Sequence, residues 1–126
     1  MLQVSSVHVY VSYPFVLSWS LLEAMAAGCL VLGSNNAPVT EALHDGHNGL
    51  LVDPFDAAAI CNRVDAVLDD PERLQGLRHA ARATVIAHYD LRTQLLPRWE
   101  QLLTEAASGR YPWPAAHVAL PVANLH

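Results

Sequence analysis

The chain has 126 residues, which suits one domain or part of a larger one. A hydrophobic fraction of 52% is ample for a packed core, and a net charge of −5 argues against a broad nucleic-acid surface. Its fixed positive charge comes from seven Arg and no Lys, and none precedes Arg63, so the N-terminal half carries no cationic side chain other than His.

No segment reaches the roughly 20 apolar residues that span a bilayer, and Met1 to Ser6 lack the charged and apolar regions of a signal peptide. Cys29 and Cys61 have neither CxxC nor zinc-finger spacing, and the apolar surroundings of Cys29 predict a buried thiol. A reducing cytoplasm is the expected location.

Residues 7–11 are rich in β-branched side chains and predict a strand, with 12–18 as the loop leaving it. Ser20 is the predicted N-cap of a helix through about Ala27, with Gly28 as the residue that ends it. The apolar run Cys29 to Gly33 reads as a strand buried on both faces, and Ser34 to Ala37 as a turn. Pro38 suits the first position of a short helix through about Leu43. Asp45-Gly46-His47-Asn48-Gly49 is a turn before a third strand, Leu50 to Val52.

Asp56 is the predicted cap of a helix whose apolar positions are Ile60, Val64, Val67 and Leu68. A further helix is expected from Asp70-Pro71 to about His88, and a last one over 91–107, interrupted or kinked near Pro97. Alternating strands and helices indicate parallel βαβ units, hence an α/β fold with a partial doubly wound, Rossmann-like parallel sheet and C-terminal helices. Residues 1–107 form the expected domain, and 108–126 an irregular Pro-rich tail.

In open α/β sheets, ligands bind beyond the carboxyl ends of the strands. The loop from Tyr13 and the helix start near Trp19 and Ser20 lie at such an end. Backbone N–H groups there have no intrahelical partner, and the dipole favours an anion. Glu23, one turn in, can accept hydrogen bonds from hydroxyls, although spacing alone favours an ordinary surface acid at a helix start.

The string His44-Asp45-Gly46-His47 suggests a metal pair, but it lies in a turn with no third ligand nearby, so no metal site is expected. Glu41 is explained as well by capping as by ligand contact. Arg73, Arg78, Arg82, Arg92 and Arg98 read as exposed helix faces, and Trp99, Leu102 and Leu103 as a core or domain-contact stripe.

The strings Leu21-Leu22-Glu23-Ala24-Met25-Ala26-Ala27-Gly28, Ala37-Pro38-Val39-Thr40-Glu41 and Asp45 to Val52 occur in order over roughly residues 7–89. Together they resemble the C-terminal domain of group 1 glycosyltransferases, retaining enzymes of GT-B fold that use nucleotide-sugars. The form Tyr-Pro-Phe-Val-Leu-Ser-Trp-Ser-Leu-Leu-Glu looks like one branch of that family. The resemblance implies that Glu23, the second glutamate of an E-x7-E motif, holds ribose hydroxyls. It also implies that the amides of Trp19 and Ser20 meet the donor diphosphate, and that Phe15 and Ser18 shape the sugar pocket.

Phe15 stands where the family's first glutamate belongs, and it can pack on a sugar face but cannot accept a hydroxyl hydrogen bond. The family's basic residues and acceptor-binding N-terminal domain match nothing in the chain. The expectation is therefore a donor-binding portion of a hexosyltransferase-like enzyme, inactive alone, with no metal or other cofactor. Its expected partners are a nucleotide-sugar donor, the missing N-terminal GT-B domain or an equivalent chain, and other copies of itself. The alternative is a non-catalytic fragment, or a docking module that completes a split enzyme.

Overall fold

The computed structural model describes residues 5–13 and 16–110. Residues up to Asp90 form one compact unit and those from Leu91 onward a second. The division falls before the last helix, where Asp90 turns to extended backbone (φ −62°, ψ 122°) and ends the helix preceding it.

In the first unit, β1 (His8–Tyr10), β2 (Val31–Ser34) and β3 (Leu50–Val52) form a parallel sheet in the order β1-β2-β3. The registers place His8 opposite Val31 and Leu32 opposite Leu50. Every residue of the central strand β2 is buried, in keeping with its apolar sequence. Alternation then sends neighbouring side chains to opposite faces. Val31 packs with Leu21, Met25, Val39 and Leu43 on one face, while Leu30 and Leu32 pack with Leu50, Val52 and Val67 on the other. Each such buried aliphatic side chain contributes roughly 1.5–3 kcal/mol.

Helix α1 (Trp19–Ala26) covers the first face through Leu21, Ala24 and Met25. It closes in a Schellman turn, with Gly28 N–H donating to Met25 O at 3.0 Å and Cys29 N–H to Ala24 O at 3.0 Å. That turn requires the left-handed conformation of Gly28, φ +78°. The short helix α2 (Ala37–Thr40) starts at the N-cap Asn36 and ends earlier than Leu43, the residues beyond continuing as a turn. Pro38 is its second residue, where no intrahelical N–H is required.

Helix α3 (Ala57–Asp69) is capped by Asp56, whose carboxylate accepts from Ala59 N–H at 2.8 Å. Val67 is its buried anchor, and Ile60 and Val64 pack beside it; Leu68, expected in the same stripe, is instead exposed because Val67 occupies the inward position. A 3₁₀ turn (Glu72–Leu74) leads into α4 (Gln75–Tyr89), which packs on the first face through Ala81.

Two arginines in α4 reach distant backbone, Arg78 from a half-buried position and Arg82 from an exposed one, as expected of a helix face. Arg78 donates to Ser6 O and Arg82 to the α1 carbonyl of Ala26, both at 2.6 Å. The Arg82 contact places a cation at the C-terminal end of α1, where the dipole favours it.

The second unit, by itself, is a π-helical turn (Leu91–Leu95) followed by α5 (Leu96–Ala107). The stretch is interrupted just before Pro97, as expected, and Pro97 stands in the first turn of α5, where its missing N–H has no role. No residue of α5 is buried, so Trp99 and Leu103 are not core. The expected tail lies outside the described residues from 111 onward. Among the described residues, no helix is long and apolar enough to cross a membrane.

Candidate donor site at the carboxyl edge of the sheet

The three parallel strands bring their carboxyl ends to one edge, where the loops after β1, β2 and β3 converge. Ser34 closes β2 and is fully buried; its hydroxyl accepts from Ser12 N–H at 2.8 Å. Asn36 Nδ2 donates to Ser12 O at 3.0 Å. The backbone of Ser12 is thus held on both sides by the β2 exit. Further along, the Tyr10 hydroxyl accepts from Ser18 N–H at 3.0 Å, tying the strand to the helix start. The loop leaving β1 is therefore positioned at both ends by side chains.

Ser18, not Ser20, is the N-cap of α1. Its backbone is extended (φ −79°, ψ 144°), and its hydroxyl accepts from Ser20 N–H at 3.3 Å. The Ser18 and Ser20 hydroxyls lie 3.2 Å apart. The bond that Ser18 N–H donates to the Tyr10 hydroxyl favours Ser18 over Ser20, because it fixes Ser18 at the point where the chain turns into the helix.

Trp19 N–H is the first amide of α1 and has no intrahelical acceptor. Among the described residues, the Ser20 amide is held by a long bond to Ser18, which an anion can replace with a shorter, charge-assisted one. Both amides sit at the positive end of the helix dipole. The Trp19 side chain is 75% exposed.

Glu23 is exposed on α1, and the first turn of that helix contains no acid. Glu23 is the fifth helical residue, beyond the span where the dipole rewards a carboxylate, so that simpler explanation of the residue loses force. Phe15 lies outside the described residues.

The nearby turns have structural duties. Asp45 Oδ1 accepts from Leu51 N–H at 2.8 Å, and its other oxygen lies 3.8 Å from Arg63. Asn48 is buried and accepts from His44 N–H at 2.6 Å. Its Nδ2 donates to Ala42 O at 2.9 Å and to Thr84 Oγ1 at 3.2 Å. Among the described residues, no group of three His, Cys, Asp or Glu could hold a metal ion. Burial pushes the Cys29 thiol above its ordinary range, opposed by the Arg78 guanidinium.

Sequence reasoning missed Tyr10, Ser34 and Asn36 as the residues that shape this edge. Ser34 carried the one available signal, a polar residue closing an otherwise apolar strand.

The family model described as "Glycosyl transferases group 1" matches residues 1–84. This chain belongs to that family. Over 93 residues it is 33% identical to a glycogen synthase of Mycobacterium tuberculosis and 30% identical to the putative glycosyltransferase EpsD of Bacillus subtilis. The match takes in 74% of this chain but 22% and 24% of those relatives, so the chain spans about a quarter of their length or less.

Among solved structures, sucrose-phosphate synthase from Thermosynechococcus elongatus superposes with a TM-score of 0.78 at 28% identity, over 83% of this chain and 26% of that one. Anabaena HepE in complex with UDP-glucose superposes with a TM-score of 0.74 at 20% identity, over 82% of this chain and 29% of that one. These structural neighbours are GT-B glycosyltransferases, and the fold is the expected α/β architecture of that class.

Proposed function

We propose that this chain is the donor-binding portion of a retaining glycosyltransferase that takes a sugar from a nucleotide diphosphate. The observation that carries the reading is the start of α1. There a helix end whose first amide has no partner among the described residues, with an exposed carboxylate one turn in, stands at the carboxyl edge of a parallel sheet. The amides of Trp19 and Ser20 meet the diphosphate, and Glu23 accepts the ribose hydroxyls. Ser18 orients the helix start and, with Phe15, borders the transferred sugar. Family membership supports the reading, as does the fold shared with a protein seen in complex with UDP-glucose.

Helix-end amides supply positive potential without a metal, so nucleotide binding is expected in the presence of a chelator. Departing diphosphate takes up the acceptor proton on the face it leaves, which retains configuration without a protein nucleophile. Such chemistry needs positive charge aimed at the leaving group, and no Lys or Arg precedes Arg63. We therefore expect the chain alone to bind nucleotide without turnover and to need a second domain or chain for transfer. A cytoplasmic location belongs to the same proposal, supported by a cysteine pattern that fits neither a disulfide framework nor a zinc site.

Calorimetry with UDP, ADP and GDP tests the reading. Saturable binding of at least one, unchanged by chelator and with no sugar transfer by the isolated chain, is the expected result. A folded chain that binds none of them would remove it.

A further inference from the structure

The exits of β2 and β3 enclose a depression of about 270 Å³ lined by Asn35, Asn36, Asp53, Pro54 and Phe55. It lies on the same carboxyl edge of the sheet but is built from different residues than the start of α1. We propose that this depression is a subsite for one uncharged pyranose ring.

Its chemistry points to that occupant. Phe55 is 78% exposed, an unusual position for a phenyl ring, and Tyr13 holds it in an edge-on pair (centroids 6.5 Å apart, planes at 76°). Tyr13 is itself 77% exposed, and the edge-on pairing leaves a face of the Phe55 ring open to the C–H face of a sugar. Asp53 Oδ1 accepts from Phe55 N–H at 2.9 Å, which shapes the turn and sets the carboxylate beside the ring. The second Asp53 oxygen and the Asn35 side-chain amide have no partner among the described residues, leaving acceptors and donors for vicinal hydroxyls. Asn36 is committed elsewhere, to Ser12 O and Val39 N–H, and acts as wall.

The Asp53 carboxylate, with no Arg or Lys lining the depression, repels a phosphate or a uronic acid. The volume lies just below the range typical of drug-sized ligands, roughly 300–1,000 Å³, and so accommodates one ring better than a nucleotide. The ring belongs either to an acceptor or to the donor.

Amide NMR of the isotope-labelled full chain tests the inference. The probes are methyl glycosides of glucose, galactose, mannose and N-acetylglucosamine, then UDP-glucose, ADP-glucose and GDP-mannose, then the bare nucleotides. The expected result is saturable shifts at the Asn35 side-chain amide and the Phe55 backbone amide. Shifts from a glycoside assign the ring to an acceptor, and shifts from a nucleotide-sugar alone assign it to the donor.

Phe55→Ala should weaken the binding about tenfold, as expected for loss of an aromatic contact. Asp53→Asn, which keeps the turn acceptor while removing the charge, should weaken it less. No shift at these amides from any sugar, equal shifts from bare nucleotide, or unchanged affinity in Phe55→Ala would overturn the proposal. Nucleotide binding without any sugar-dependent shift would leave the donor reading standing and sink this one alone.

Discussion

Replacing Asn48 by alanine should be among the costliest single changes in the first unit. The side chain is buried and makes three hydrogen bonds, to His44 N–H, Ala42 O and Thr84 Oγ1. Each contributes about 1 kcal/mol net, and the buried carbonyl of Ala42 would keep part of its desolvation penalty once its donor is gone. The sum is about 3–4 kcal/mol, a large share of the roughly 5–15 kcal/mol that holds a domain folded. For a unit of this size, 1 kcal/mol moves the melting temperature by about 4–8 °C, so a fall of about 12–30 °C is expected.

Thr84→Val provides the scale, because it removes one of the three Asn48 bonds together with the hydroxyl's own bond to Ala80 O, and should cost about 1–2 kcal/mol. Asn48→Asp keeps the acceptor for His44 but sets a carboxylate oxygen against the Ala42 carbonyl. It should be poorest at neutral pH and recover partly in acid, where the protonated carboxyl regains a donor. Urea and thermal unfolding followed by circular dichroism measures all three. An Asn48→Ala midpoint no lower than that of Thr84→Val would refute the assignment of this side chain as the clasp between the 42–48 turn and α4.

Two other substitutions and one labelling experiment probe the remaining structure. Ser18→Ala should cost roughly 0.5–1 kcal/mol through loss of the N-cap, and Ser18→Gly less, in the same unfolding assay; equal losses from Ser20→Ala would place the cap elsewhere. Gly33→Ala should cost about 1–3 kcal/mol, because its methyl would lie 2.7 Å from Leu43 Cδ2 and 2.9 Å from Val39 Cγ1. A thiol reagent should modify the exposed Cys61 promptly and the buried Cys29 only after unfolding, as peptide mapping would show. The folded Cys29 pKa lies above its unfolded value. Its contribution is therefore fully present below the ordinary thiol range and is lost as pH rises through the raised value.

The order of strands and helices was legible because it rests on local signals: β-branched runs, Asp and Asn caps, and Gly28 after a helix. What was illegible depended on groups far apart in sequence. Ser18 and Ser20 fit a cap equally well until the Tyr10 hydroxyl selects Ser18. The backbone bonds of Arg78 and Arg82 were illegible because their carbonyl partners lie 72 and 56 residues away. Leu68 matched a helical stripe whose inward position Val67 already fills. At the candidate site, Glu23 and the helix start came from the motif, whereas the pinning of Ser12 by Ser34 and Asn36 came only from the fold.

The most direct measurement of the central claim compares a ribonucleoside diphosphate with its 2′,3′-dideoxy analogue, binding each to the chain and to its Glu23→Ala variant. If Glu23 accepts the ribose hydroxyls, the chain should prefer the ribonucleotide by about tenfold, the equivalent of one exposed charge-assisted hydrogen bond. Glu23→Ala should erase that preference and leave the affinity for the dideoxy analogue unchanged. A preference that survives intact in the variant would contradict the role given to Glu23 and, with it, the donor site at the start of α1.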